Sequence, residues 1–368
     1  MRAAVVPSVN GRWEIKEIPT PKLSTNQVLI KIHASGICYT DVHITHGVLG
    51  VNFPNTIGHE PAGEIVELGE GVTNRKIGDR VGVPWLQTTC GRCEWCQRGK
   101  SLFCQKQIGT GINIQGSHAE YMVAYADSTQ LLPDGLSYEQ AAPIFCAGYT
   151  VYSGLRFADP KPHERIAVVG VGGLGHLAIQ YSKAAGFETI ALTHSKDKEE
   201  LAYKLGADIV VRNGEELKNI GSRGGEGEGG NGIGGGGGAD VILATSNSYK
   251  TTGDSLNGLR PDGRMILMGV STTEPLIVPP DLIFKRGRII GSMQNDREYL
   301  YEALDYVAKG KVRVITETFS LDDISNAYDM VANGKVRFRA VIKNEDYQIS
   351  MSVSVCYQGL FSQCETDL

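Results

Sequence analysis

Apolar residues fall into two different rhythms along this chain. Over residues 1 to about 148, short β-rich runs recur, such as Gln27-Val28-Leu29-Ile30-Lys31-Ile32 and Ala62-Gly63-Glu64-Ile65-Val66-Glu67-Leu68. Glycine and proline interrupt them at close intervals, at Pro19, Pro21, Gly36, Pro54, Gly69, Gly71 and Gly78. Strand-like runs with such punctuation predict a partly closed barrel or folded sheet carrying long loops. Near residue 149 the rhythm changes. Apolar strands at Arg165-Ile166-Ala167-Val168-Val169, Thr189 to Thr193, Asp208 to Val211, Asp240 to Ala244, Arg264 to Met268 and Arg288 to Ser292 alternate with other segments. Two of those segments, His176 to Ala185 and Lys198 to Leu205, have helical character. Strands apolar on both faces and separated by helices predict a parallel sheet covered on both sides.

The predicted organisation is therefore α/β: a β-rich unit over 1–148 and a doubly wound parallel-sheet unit over 149–292. A helix over Arg297 to Ala308 follows. Strand-like text at Val312-Arg313-Val314-Ile315 and Phe338-Arg339-Ala340-Val341-Ile342 then returns the chain, over 293–343, to the first unit. A glycine-rich stretch at 221–238 cannot bury an apolar core and reads as a surface insertion. Residues 344–368 read as an appended tail, with Cys356 and Cys364 as free thiols.

The first strand of the second unit runs straight into Gly170-Val171-Gly172-Gly173-Leu174-Gly175 and then into a helix. Strand, glycine turn and helix in that order mark a dinucleotide-binding (Rossmann) unit. Gly170 permits the tight turn, Gly172 lets the backbone approach a pyrophosphate, and Gly175 lets helix pack on strand. A glycine turn in some other α/β unit is the alternative.

The chain has 368 residues, enough for about two domains of ordinary size. A net charge of −5 and the lack of basic runs give no reason to expect nucleic acid or an anionic membrane as a partner. No apolar segment approaches the roughly 20 residues that span a bilayer. The start lacks the apolar core of a signal peptide, so a cytoplasmic protein is expected.

Eight cysteines are present, four of them in Cys90-Gly91-Arg92-Cys93-Glu94-Trp95-Cys96 and Cys104. Four thiolates at this spacing can close a tetrahedral zinc shell with no room for water, a structural site. An iron–sulfur cluster or two disulfides remain open on spacing alone. Upstream, Cys38-Tyr39-Thr40-Asp41-Val42-His43 is followed by Gly58-His59-Glu60, and Cys146 lies far downstream. Two thiols and an imidazole with an open position fit a catalytic zinc. Thr40 stands two residues from Cys38, close enough to take a proton from a substrate held there. His33, His46 and His118 match no motif and read as structural or solvated.

These motifs together resemble the zinc-dependent medium-chain alcohol dehydrogenases, closest to the yeast and bacterial primary-alcohol branch. The likeness covers about residues 1 to 343. It rests on Gly58-His59-Glu60-Pro61-Ala62-Gly63 with Gly69 and Val72, the four-cysteine lobe, Gly172-Gly173-Leu174-Gly175 and Ile144-Phe145-Cys146-Ala147-Gly148. It implies a GroES-like catalytic domain beside the Rossmann domain, and two zinc ions per chain. Cys38, His59 and Cys146 would be the catalytic zinc ligands, with Glu60 able to approach the metal and Asp41 orienting His59. Cys146 sets the chain apart from the polyol and threonine branches, which carry glutamate there.

The resemblance further implies hydride transfer between an alcohol carbon and nicotinamide, zinc serving as Lewis acid. A proton relay would run from Thr40 through the cofactor ribose to His43, for which a mere surface histidine is the alternative. Tyr39, Trp85 and Val48 would shape the substrate pocket, and Lys198 and Arg339 match positions that touch cofactor. Strand two ends in Thr193-His194-Ser195-Lys196 with no acid to bond the ribose hydroxyls, so NADP is expected over NAD. The implied assembly is a homodimer or homotetramer acting on a small alcohol or aldehyde. The rival readings are an NADPH-dependent aldehyde reductase of the cinnamyl type and a non-catalytic cofactor-binding protein on the same scaffold.

Overall fold

A computed structural model of the protein describes residues 1–220 and 237–344. Most of the glycine-rich insertion, the tail beyond residue 344, and with it Cys356 and Cys364, lie outside the described residues.

The six apolar runs of the second unit form one parallel sheet. In space its strands lie in the order Ile209–Val211, Glu188–Leu192, Arg165–Val169, Ala239–Ala244, Leu259–Leu267 and Arg288–Gly291. In chain order this is 3-2-1-4-5-6, the doubly wound arrangement. Val168 pairs with Ala191 on one side and Leu243 on the other. Helices cover both faces, so Ile166, Ala167, Val168 and Val169 are all fully buried, which explains a strand without polar alternation. The direction in which successive strands are added reverses between the first and fourth strands, and a crevice opens at their carboxyl ends.

The first unit is organised by the 11-residue strand Gln27–Ile37, which pairs antiparallel with Pro61–Leu68, Tyr121–Tyr125 and Arg339–Lys343. Thr316–Ser320 pairs parallel with Arg339–Lys343, which places both strands in the same sheet as Gln27–Ile37. The expected strand at Val312 to Ile315 does not form; the strand begins at Thr316. The reason is local. Val314 N–H donates to Gln140 Oε1 at 3.1 Å, and Gln140 Nε2 donates to Val314 O at 2.8 Å. Gln180 meets both backbone groups of Arg313 in the same way, at 2.8 and 2.9 Å. Side-chain amides thus satisfy the backbone that a neighbouring strand would otherwise pair.

Between the two sheets runs the helix Ala147–Phe157. Tyr149, Val151, Tyr152 and Leu155 on it share one buried cluster with Ile166 and Val168 of the parallel sheet and with Phe145 and Val341 of the other unit. Among the described residues no helix is long and apolar enough to cross a membrane.

Candidate active site

The strand Gln27–Ile37 ends directly before Cys38, which opens the short helix Tyr39–Thr45. Asp41, in the first turn, folds back so that its Oδ2 accepts the Cys38 N–H at 2.8 Å. This reciprocal cap fixes the carboxylate and the thiol against each other. His59 immediately precedes the strand Pro61–Leu68 and turns its Nδ1 to Asp41 Oδ1 at 3.2 Å. Cys146 sits between the 3₁₀ turn Ala142–Phe145 and the helix Ala147–Phe157.

These distant segments converge. Cys38 Sγ and Cys146 Sγ are 3.7 Å apart, and the ligand atoms of Cys38, His59, Glu60 and Cys146 all lie within 4.8 Å of one another. Two sulfurs bound at about 2.3 Å to one tetrahedral zinc stand about 3.8 Å apart. His59 Nε2 is buried and has no hydrogen-bond partner, which leaves its lone pair directed at the cluster and in need of one. The donor set and the orphaned nitrogen fit a zinc ion. Cys38 is pulled well below the usual thiol range, chiefly by the Cys146 thiol, with His59 adding to it. Cys146 is pushed up by Cys38 in turn. Burial disfavours a charge on Asp41, yet the imidazoles of His59 and His118 outweigh it and hold the carboxyl well below its usual range.

Glu60 is fully buried and held by Arg339, whose Nη2 reaches both carboxylate oxygens at 2.5 and 2.6 Å. Burial raises the Glu60 carboxyl to about 7 against the pull of that guanidinium. The pair fits only because residue 36 is glycine: a Cβ there would stand 1.9 Å from Glu60 Oε2. Thr40 Oγ1 lies 3.6 Å from Cys38 Sγ. His43, one turn along the same helix, is half-buried with its ring edge-on to Tyr39, centroids 5.1 Å apart. No direct hydrogen bond joins Thr40 and His43. Trp85 stands edge-on to His59 at 5.4 Å, whereas Val48 is largely exposed.

The second cluster is built differently. Cys90, Cys93, Cys96 and Cys104 bring four sulfurs within 4.8 Å, with Cys93–Cys96 at 3.5 Å and Cys90–Cys104 at 3.6 Å. All four are free, so no disulfide forms here. The N–H groups of Arg92 and Cys93 lower the Cys90 thiol to about 6, while Cys93 in the same cluster is pushed up to about 11.

A cleft of about 580 Å³ runs from the glycine turn to Ile37 and Tyr39, the residues flanking Cys38. Gly170 has φ +91, and a Cβ at Gly175 would lie 1.8 Å from Gly170 O, so turn and helix close down only with glycine at both positions. Gly172, Gly173 and Leu174 line the cleft, as does Arg339, beside Thr245 and Ser246 from the fourth strand's end. At the end of strand two the wall is formed by Asp197 and Lys198. Thr193, His194 and Ser195 stand back from it: Thr193 is buried, and Ser195 donates to the Asp197 carboxylate. Arg337, 3.4 Å from Asp197, lines the same cleft.

Asp197, Arg337 and His118 were not singled out by motif. Asp197 lies in the first turn of the helix Lys196–Lys204, a place the sequence marks. Nothing in the sequence pattern marks the other two.

Residues 24–134 match the family described as the alcohol dehydrogenase GroES-like domain, and residues 173–309 the zinc-binding dehydrogenase family. An alcohol dehydrogenase of Geobacillus stearothermophilus is 39% identical over 93% of this chain and 99% of its own. One from Rhizobium meliloti is 38% identical over 93% of this chain and 98% of its own. Among solved structures, the alcohol dehydrogenase of Aeropyrum pernix superposes with a TM-score of 0.82 at 30% identity, covering 94% of this chain and all of that one. A cinnamyl alcohol dehydrogenase of Sorghum bicolor gives 0.81 at 27% identity, covering 93% and 97%. The fold is thus that of a GroES-like domain joined to a Rossmann domain, in an oxidoreductase. The chain belongs to the zinc-dependent medium-chain alcohol dehydrogenase family.

Proposed function

We propose that this enzyme interconverts a primary alcohol and its aldehyde with NADP in preference to NAD. Its catalytic zinc would be held by Cys38, His59 and Cys146, and a structural zinc by the four-cysteine lobe. In this reading the catalytic domain comprises 1–148 and 293–343, and the dinucleotide-binding domain 149–292. When bound, zinc would supply Lewis acidity at the substrate oxygen and the nicotinamide cofactor would supply hydride chemistry. The chain's own residues do the rest. Asp41 holds the His59 ring so that Nε2 faces the two thiols. Thr40 Oγ1 takes the substrate's hydroxyl proton as it gives up its own hydroxyl hydrogen, and the cofactor ribose, when bound, would supply the link to His43 that no direct hydrogen bond makes. His43, whose pKa burial lowers, accepts and releases it at the rim as a neutral base. Arg339 keeps Glu60 folded back, close to the metal cluster.

The observation that carries the reading is the buried, unpartnered Nε2 of His59 beside two thiols 3.7 Å apart. Metal analysis of the purified protein tests it, with close to two zinc ions per chain expected and one meaning an unfilled site. The cofactor preference is supported by the missing acid at Thr193-His194-Ser195 and by Lys198 and Arg337 in the cleft wall. The Asp197 carboxylate there is engaged with Ser195 and Arg337. Higher kcat/KM with NADP is expected, and a strong NAD preference would overturn this part.

The same missing acid favours a second reading, an NADPH-dependent aldehyde reductase of the cinnamyl type. A panel of aliphatic and aryl-allylic alcohols and aldehydes separates the two. The intact ligand set disfavours a non-catalytic protein. A cytoplasmic homodimer or homotetramer completes the proposal. Ile277, Ile283 and Phe284 are exposed, and Arg288–Gly291 is an outer strand of its sheet among the described residues; a second copy would cover them. Light scattering of the purified enzyme would show a monomer if this is wrong.

A further inference from the structure

His118 belongs to no motif, yet it is only 1% exposed and lies directly behind the metal cluster. Backbone bonds put it there. His118 N–H donates to Ile57 O at 3.1 Å and Ser117 N–H to Gly58 O at 3.0 Å, so its segment is zipped to the two residues before His59. Gly58 makes the approach possible: its φ is +107, and a Cβ there would stand 2.8 Å from His118 Cγ. Trp13 closes the other side, ring centroids 5.2 Å apart.

The ring's two nitrogens then have different partners. Nδ1 is 2.9 Å from Ser35 Oγ, which is 2.7 Å from Ser117 Oγ. With the Ser35 hydroxyl donating to Nδ1, the hydrogen resides on Nε2. Nε2 is buried without a hydrogen-bond partner and stands 3.7 Å from Asp41 Oδ2, longer than a hydrogen bond but close enough for its N–H dipole to attract the carboxylate. Asp41 therefore lies between two imidazoles, with the Cys38 N–H as its remaining contact.

We propose that His118 is a positioning residue for the metal centre. Its Nε2–H steadies the Asp41 carboxylate from the side opposite His59, so that Oδ1 stays on His59 Nδ1 and His59 Nε2 stays aimed at the two thiols. The proposal rests on the catalytic-zinc reading above. It assigns to this chain a histidine–carboxylate–histidine series in which only one histidine is a ligand.

Zinc release into excess EDTA, followed with a colorimetric zinc indicator, tests it, because the four-cysteine site is an internal control in the same molecule. In His118→Phe, which keeps a ring but no N–H, one zinc should leave about tenfold faster than in the wild type while the other is unaffected. His118→Gln places an amide N–H near the former Nε2 and should restore release to within about threefold of the wild type. His118→Asn is too short to reach Asp41 and should behave like His118→Phe.

Wild-type release from His118→Phe overturns the proposal. So does faster loss of both zinc ions together with a lower Tm, which would mean a packing role alone. Should His118→Phe fail to fold, equal release from His118→Gln and His118→Asn overturns it. A wild-type protein that carries zinc at the four-cysteine site alone removes the underlying metal reading itself, and is seen before any variant is made.

Discussion

The two cysteine clusters, in the proposed reading as zinc sites, would meet the same coordination problem by opposite means. In the lobe, all four ligands come from within fifteen residues, three remain partly exposed, and the helices among them are single turns, Glu94–Gln97 and the 3₁₀ turn Ser101–Phe103. In the other cluster the ligands come from a strand end, a loop and a helix start, separated by up to 108 residues. Their surroundings are two buried carboxylates, Asp41 and Glu60, a buried guanidinium and the His118 imidazole. A local cluster can organise its own loop when metal binds, because little chain entropy separates its ligands. An assembled cluster needs the fold to hold it first. The saturated shell can then brace the structure, while the supported, incompletely filled one is left free for chemistry.

The sharpest way to break this contrast is to remove a ligand from each cluster. Cys146→Ala should lose one zinc and lower kcat/KM by a factor on the order of 10³ or more, since Lewis-acid stabilisation is worth several kcal/mol. Steady-state kinetics with metal analysis checks both. Asp41→Asn keeps every ligand but removes the charge behind His59, and should cost about 10–100-fold in zinc affinity or kcat. If Asp41→Asn matched the wild type in a competition titration with a zinc chelator, the outer support would be irrelevant. Cys93→Ser should act through stability: Tm falls by several degrees, while kcat per folded molecule stays within about twofold. A collapse of kcat at unchanged Tm would erase the distinction between the clusters.

The smallest effect comes from acid. His176 is fully buried against Phe338, its Nδ1 3.2 Å from Gly172 O and its Nε2 accepting the Ile315 N–H at 3.4 Å. Burial lowers it to about 3 from an ordinary 6.5. A lowered histidine contributes stability that is present above pH 6.5 and lost as pH falls toward 3. The loss is at most about 1.4 kcal/mol per pH unit. It loosens the contact between the glycine turn and residues 315 and 338, on which the assembled site depends. His176→Gln should flatten that part of the Tm-versus-pH curve between pH 7 and 5, measured by calorimetry. An unchanged slope would show that other groups set the acid sensitivity.

Legibility followed the same division. The strand–glycine–helix run at 165–184 could be read because all its parts adjoin, and the four-cysteine lobe for the same reason. The six parallel strands could be read because burial on both faces leaves unbroken apolar runs. The failures were non-local. Val312 and Val314 look like strand residues, but Gln140 and Gln180 reach across from elsewhere and take the place of a neighbouring strand. The Glu60–Arg339 pair joins residues 279 positions apart, and His118 reaches Asp41 only through the pairing of 117–118 with 57–58. Thr193, His194 and Ser195 are legible as the end of strand two with hydroxyl and basic groups, whereas the part of the cleft wall formed by Asp197 and Lys198 depends on how the helix Lys196–Lys204 begins.

One peptide junction ties these halves together. Cys146 is the last residue before the helix that packs on the parallel sheet, and its thiol points the other way, toward Cys38. Any tilt of one unit against the other would therefore reach that sulfur, and in the proposed reading the zinc centre would register the strain.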